Sequence, residues 1–144
     1  PSSAASDVYK RQHRLRASLR SMHYRPHQLA GHDSRAVLAV RAALSRLGSP
    51  YVWGATGPDR FDCSGLMQWS YGRAGIHLTR TTYDQIHQGV PVARSEVRPG
   101  DLVFPHTGHV QMALGGGLVV EAPQPGSVVQ ISRMGPSVAI RRVV

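Results

Sequence analysis

The sequence predicts an α+β fold, because helical patterns occupy its first half and strand patterns its second. Apolar side chains recur at helical spacing in residues 34–47, whereas residues 102–144 contain short apolar runs separated by glycine and proline. The 144 residues suffice for one hydrophobic core that needs no disulfide or metal to hold it together. We therefore expect N-terminal helices packed on one central antiparallel sheet.

The first helix is predicted to begin after Asp33 or Ser34, because both residues are good N-caps. Its expected buried face consists of four apolar residues at helical spacing: Val37, Leu38, Leu44 and Leu47. Gly48 is typical of the position that follows a helix C-terminus, and Ser49-Pro50 then breaks the chain. We therefore predict that the first helix covers about residues 34–47.

A second helix is predicted from Cys63 to about Gly72, over an apolar run with helix-compatible residues. Before it, residues 51–54 are predicted to be extended, and residues 55–60 form a loop around Gly57-Pro58. These assignments place Cys63 in the first turn of a helix.

A short third helix is predicted within residues 79–89, with Thr81 or Thr82 as its N-cap. The pattern then changes to strands, which we place at residues 102–104, 109–114, 118–122, 128–132 and 137–144. Three glycines at positions 115–117 predict a hairpin turn between the second and third of these strands.

The chain is strongly basic, with a net charge of +9. Such a surface attracts nucleic acid, anionic lipid or anionic cell-wall polymers, but a solvated basic surface without a particular partner fits equally well. No apolar run approaches the length of about 20 residues that spans a bilayer, so we predict no membrane span.

Residues 1–31 differ in composition from the rest, with six basic residues and one acidic residue. We interpret this segment as a basic arm or linker, partly helical between Asp7 and about Met22, and residues 32–144 as the folded domain. The arm either joins the domain to an upstream part or folds back over it. The chain begins at Pro1, so we expect a trimmed piece of a longer protein, whose start could have held an export signal.

Cys63 is the only cysteine in the chain, so it cannot form an internal disulfide. It is either a small apolar core residue or a nucleophile. The first turn of a helix favours the nucleophile, because unpaired N–H groups and the helix dipole stabilise thiolate over thiol.

A cysteine nucleophile needs a base and a group that orients the base. His109 begins one strand of the predicted hairpin and Glu121 lies in the return strand, so the two become cross-strand neighbours, directly opposite or nearly so. The alternatives are a structural histidine and an exposed strand glutamate. His106 could form a metal pair with His109, but no third ligand stands out, and we predict no metal or other cofactor.

Five motifs, in this order, resemble the NlpC family of papain-like cysteine peptidases, which cleave bacterial peptidoglycan stem peptides. They are Asp62-Cys63-Ser64-Gly65, residues 80–85, residues 98–104, Gly108-His109-Val110 and Glu121-Ala122-Pro123. The resemblance spans about residues 33–144 and is strongest to the mycobacterial cell-wall endopeptidases of the family, in which the third catalytic residue is also a glutamate. It implies a papain-like fold and a Cys63–His109–Glu121 triad.

The resemblance also implies substrate contacts. Tyr51 matches a tyrosine that lines the cleft, Asp62 and Ser64 match positions that contact the stem peptide, and the Cys63 N–H would contribute to the oxyanion hole. Arg80 and Gln85 either shape the cleft or have structural roles. The bond implied is the one between γ-D-glutamate and meso-diaminopimelate.

As partners the resemblance implies the peptidoglycan stem peptide and, through the basic surface, anionic cell-wall polymers. It implies a secreted or cell-envelope monomer that binds no specific nucleic acid.

Two departures from the family pattern, Pro105 and Gln111-Met112, affect the expected cleft wall. The alternative function is a catalytically silent peptidoglycan-binding module of the same fold. An arginine-driven nucleic-acid-binding protein is a third interpretation, but several of the nine aromatic residues fall within the NlpC-like motifs.

Overall fold

A computed structural model describes Lys10, His13 and residues 26–144. Within residues 26–144, three α-helices precede a six-stranded antiparallel sheet, which confirms the predicted α+β class. The predicted helix between Asp7 and Met22 lies outside the described residues, except for Lys10 and His13, which are both helical.

The three helices begin at or next to the residues predicted for their starts. They are α1 (Ser34–Leu44), α2 (Cys63–Gly72) and α3 (Thr82–Gln85), with single 3₁₀ turns at Pro26–Leu29 and Arg94–Glu96. Asp33, Asp62 and Thr81 are the three N-caps, and the side chain of each accepts a hydrogen bond from a backbone N–H in the first turn.

The expected buried face of α1 was wrong at Leu38, whose side chain is half exposed. The buried positions of α1 are Ala36, Ala39, Val40 and Ala43. These small side chains let α1 approach α2 closely, so the apolar stripe rotates away from Leu38. Leu29 of the first 3₁₀ turn also packs in the core, although it precedes the predicted domain boundary.

The six strands form one sheet in the order β1-β6-β2-β3-β4-β5. Their bounds are β1 Val90–Pro91, β2 Leu102–His106, β3 His109–Gly115, β4 Leu118–Glu121, β5 Gln130–Arg133 and β6 Ala139–Arg142. The sequence did not predict β1, which has only two residues and contains a proline. β3 and β4 form the predicted hairpin, and β5 lies beside β4 at the border of the sheet.

The two faces of β3 have different environments, as its alternating sequence predicts. Val110, Met112 and Leu114 pack into the main core with Leu66 and Met67 of α2. On the other face, Ala113 joins a smaller cluster with Val103, Val119 and Ile140. The central strand is therefore fixed from both sides, which holds α2 and the hairpin in one position. No helix in residues 26–144 has the length and apolarity that a bilayer crossing requires.

Candidate active site

The start of α2 is held by Asp62. One oxygen of its carboxylate accepts the N–H of Gly65 at 2.7 Å, and the other accepts the N–H of Gly54 at 3.0 Å. The first bond caps the helix and the second ties the helix start to the loop before it. Cys63, the next residue, is a half-buried free thiol in the first turn, as predicted.

Arg80 reinforces this helix start from a distant part of the chain. Its guanidinium donates to both carboxylate oxygens of Asp62, at 3.1 and 2.7 Å, and to Ser64 Oγ at 2.8 Å. A planar fork on a carboxylate fixes orientation as well as distance. Asp62, Ser64 and Arg80 thus bind one another, and contact of these three residues with a stem peptide stays a prediction.

Gly65 lets the loop approach α2 closely. A Cβ atom at this position would lie 2.1 Å from the carbonyl oxygen of Ala55 and 2.8 Å from Asp62 Oδ1. The loop carbonyl also accepts the N–H of Asp62 at 2.9 Å. The glycine of the Cys-Ser-Gly sequence is therefore required by packing between the loop and the helix start.

Gln85 of α3 is fully buried beneath the same segment. Its amide donates to the carbonyl of Ser64 at 3.2 Å and to that of Thr79 at 2.8 Å. It connects α3 to α2 through the backbone, which is the structural alternative left open by the sequence.

His109 and Glu121 meet across the hairpin formed by β3 and β4. Nε2 of His109 lies 2.7 Å from Oε1 of Glu121. The register pairs Met112 with Val120, and its continuation sets Glu121 opposite Gln111, so His109 reaches Glu121 diagonally. The expected cross-strand contact is present, in its near-opposite form.

The charges of this pair support each other. Burial raises the pKa of Glu121, but its three hydrogen-bond donors lower the pKa from 4.5 to about 2. Burial lowers the pKa of His109, but side-chain hydrogen bonds with Cys63 and Glu121 raise the pKa from 6.5 to about 9. At neutral pH the pair is a carboxylate and an imidazolium, with Nε2–H donating to Glu121. Nδ1 is then the ring nitrogen available to Cys63.

Two partners of Glu121 were missed by the sequence analysis. Gln111 Nε2 donates to Oε1 at 2.9 Å, and Ser132 Oγ donates to Oε2 at 2.6 Å. Gln111 had a usable signal, since it is a polar residue in an apolar strand and lies two positions after His109. Ser132 had none, because its place depends on the register between β4 and β5.

Tyr51 lies close to the charged groups at the start of α2. Burial, followed by electrostatic interaction with Cys63 and Asp62, raises the pKa of its phenol. The phenol is therefore neutral at physiological pH. Trp53, two residues later, is 83% exposed.

His106 lies near His109, with 6.2 Å between the ring centroids. Its Nδ1 atom accepts the backbone N–H of Gly108 at 3.1 Å, so one ring nitrogen is used to shape the turn. Among the described residues, no group of three or more histidine, cysteine or acidic side chains has the arrangement of a metal site.

Comparison with known proteins identifies relatives over most of the chain. The NlpC/P60 family profile matches residues 48–144. A probable endopeptidase of Corynebacterium glutamicum is 45% identical over 97 residues, which cover 66% of this chain and 46% of that protein. The peptidoglycan endopeptidase RipA of Mycolicibacterium smegmatis is 38% identical over 109 residues, covering 65% and 22%. This chain thus spans less than half the length of either relative.

Among solved structures, NlpC2 from Trichomonas vaginalis has a TM-score of 0.73 and 34% sequence identity. The match covers 81% of this chain and 50% of that one. The structural similarity and the family profile therefore identify the same group of proteins.

Proposed function

Because this chain belongs to the NlpC/P60 family, we propose that it is a cysteine endopeptidase that hydrolyses peptidoglycan stem peptides. The observation that carries the proposal is the 2.7 Å hydrogen bond between His109 and Glu121, on a histidine whose pKa is also raised by the Cys63 side chain. Two relatives, a probable endopeptidase and a peptidoglycan endopeptidase, support the substrate class. We further propose that the bond cleaved joins γ-D-glutamate to meso-diaminopimelate.

In the proposed mechanism, the protonated ring of His109 stabilises Cys63 as a thiolate. The sulfur attacks the carbonyl carbon of the γ-D-glutamyl amide and forms a tetrahedral oxyanion. The backbone N–H of Cys63 lies in the first turn of α2, where it has no acceptor within the helix and can donate to that oxyanion.

His109 then transfers its proton to the amide nitrogen, the C–N bond breaks, and the diaminopimelate amine leaves. The glutamyl group remains as a thioester on Cys63. His109, now neutral, takes a proton from water, and the resulting hydroxide attacks the thioester carbonyl. Collapse releases a glutamyl carboxylic acid, which gives its proton to solvent, and restores the thiolate and imidazolium. Glu121 keeps its charge throughout and orients the ring.

Four further residues are proposed to contact the stem peptide: Tyr51, Asp62, Ser64 and Arg80. Tyr51 supports this best, since its partly buried phenol lies within electrostatic reach of Cys63 and Asp62. The Arg80 side chain is 36% exposed and lies at the start of α2, where it could meet a stem-peptide carboxylate while still holding Asp62.

We propose that residues 32–144 form the peptidase domain and that residues 1–31 form a basic arm. The arm and the other arginines would attract anionic cell-wall polymers by charge. A cell-envelope location follows from the proposed substrate.

The test is incubation of the chain with purified peptidoglycan and with a synthetic stem peptide that contains the γ-D-glutamyl–diaminopimelate bond. Mass spectrometry of the products identifies the bond cut. We expect fragments from the wild type and none from Cys63→Ala. Equal cleavage by both proteins would exclude Cys63 as nucleophile, and binding to peptidoglycan without cleavage would favour the silent binding module.

A further inference from the structure

Glu121 is a charged group in a poorly hydrated position. It is the last residue of β4 and is only 7% exposed. β3 lies on one side of it and β5 on the other. A carboxylate with this little water needs several protein donors, because an ion that lacks them is unstable in a protein interior. The bond from His109 supplies one of them.

The neighbouring strands supply the others, one from each side. Gln111 of β3 donates to Oε1, the oxygen that also receives His109, and Ser132 of β5 donates to Oε2. Ser132 Oγ accepts the amide of Gln130 at 3.2 Å, which leaves its hydrogen for Glu121. With both oxygens held, the carboxylate cannot rotate away from His109.

Packing does not explain why Gln111 is polar. It lies between Val110 and Met112 in a strand buried on both faces. Its Oε1 atom is buried and has no hydrogen-bond partner among the described residues. A methionine would fill similar space without that cost. The amide is oriented by the carboxylate, because only its NH₂ group can face Glu121 favourably.

We propose that Gln111 and Ser132 are positioning residues, which keep Glu121 ionised and aimed at His109. The proposal rests on the proposed cysteine peptidase mechanism and extends it to two residues that do not touch the substrate. Gln111 acts from β3 and Ser132 from β5. Both act on Cys63 only through Glu121 and His109.

The experiment compares Gln111→Met and Ser132→Ala, each made in the wild type and in Glu121→Gln. Two quantities are measured: kcat and KM on the stem peptide, and the rate of Cys63 alkylation by iodoacetamide at neutral pH. In the wild type, each change should lower kcat and the alkylation rate about three- to tenfold, with KM unchanged. In Glu121→Gln, the same changes should have no further effect, because the group they position is already lost.

Two controls separate positioning from general damage. Ser132→Thr keeps the hydroxyl and should restore the rates. Ser127→Ala removes a hydroxyl whose hydrogen bond within residues 26–144 goes to the Val128 carbonyl, and it should leave the rates unchanged. Because Ser132 lies in a border strand, its variants test the proposal even where Gln111→Met does not fold.

Unchanged rates in both single variants would overturn the proposal. A loss of the same size in the Glu121→Gln background would also overturn it, since the residues would then act by another route. Alkylation needs no substrate. A chain that cleaves no stem peptide but shows the expected alkylation pattern would therefore contradict the proposed function and retain the positioning role.

Discussion

Replacing Glu121 by glutamine tests whether its negative charge supports His109. The side chain keeps its shape, and its carbonyl can still accept from Nε2, but the charge is lost. The rise in the pKa of His109 from 6.5 to about 9 corresponds to about 3 kcal/mol in favour of the imidazolium. Cys63 and Glu121 share this stabilisation, while burial opposes it.

If Glu121 supplies about half of that energy, the variant loses about 1.5 kcal/mol, which is about tenfold in kcat/KM. The alkaline limb of the pH–rate profile should also move by about one pH unit toward neutrality, because the pKa of His109 falls. The sign follows from charge: a cation that loses its anionic partner gives up its proton at lower pH.

The assay is hydrolysis of a stem peptide followed across neutral and alkaline pH. Glu96→Gln is a matched control, because Glu96 is the only other glutamate in the chain and is exposed. The control should follow the wild-type profile. A folded Glu121→Gln protein with an unmoved alkaline limb would refute the assignment of the His109 charge to Glu121.

The other predictions concern the start of α2. Arg80→Met should lower the free energy of unfolding by about 1–2 kcal/mol in urea denaturation, because Asp62 then loses its charged donor and keeps only two backbone N–H groups and the Ser64 hydroxyl. Arg80→Lys should recover part of this loss, and equal stability of all three proteins would contradict the role of the Arg80 fork. Gly65→Ala should destabilise by at least about 2 kcal/mol, because its Cβ would meet the Ala55 carbonyl at 2.1 Å. Gly72→Ala, in the same helix with open space around it, should be neutral or stabilising, and equal melting temperatures for the two alanine variants would refute the close approach.

Local signals predicted the position of Cys63 at the start of a helix. The apolar run after Cys63 predicted a helix from Cys63 to about Gly72, which agrees with α2, whereas its Asp62 cap was not predicted. The exposed Leu38 shows the opposite case. Its apolar character fits the helical pattern. Whether α1 buries its leucines or its alanines, however, depends on how closely α2 approaches α1, which the local sequence does not encode.

The pairing of His109 with Glu121 was predictable to within one register step. The glycine turn predicted the hairpin, and the pairs Met112–Val120 and Ala113–Val119 continue to Gln111 and Glu121, so His109 lies diagonal to Glu121 instead of directly opposite it. The contact by which Arg80 stabilises the start of α2 was also not predictable from the sequence. Its bond to Asp62 joins residues 18 positions apart, and no short-range pattern encodes that distance.

The border position of β5 affects the order in which the protein loses activity and unfolds on heating. This strand pairs only with β4 within the described sheet, so it should open locally at a lower free energy than the central strands. Each opening withdraws Ser132 from Glu121 while the core of β3 remains intact. Heat inactivation should therefore precede global unfolding, and faster amide hydrogen exchange in β5 than in β3 would mark the step at which activity is lost.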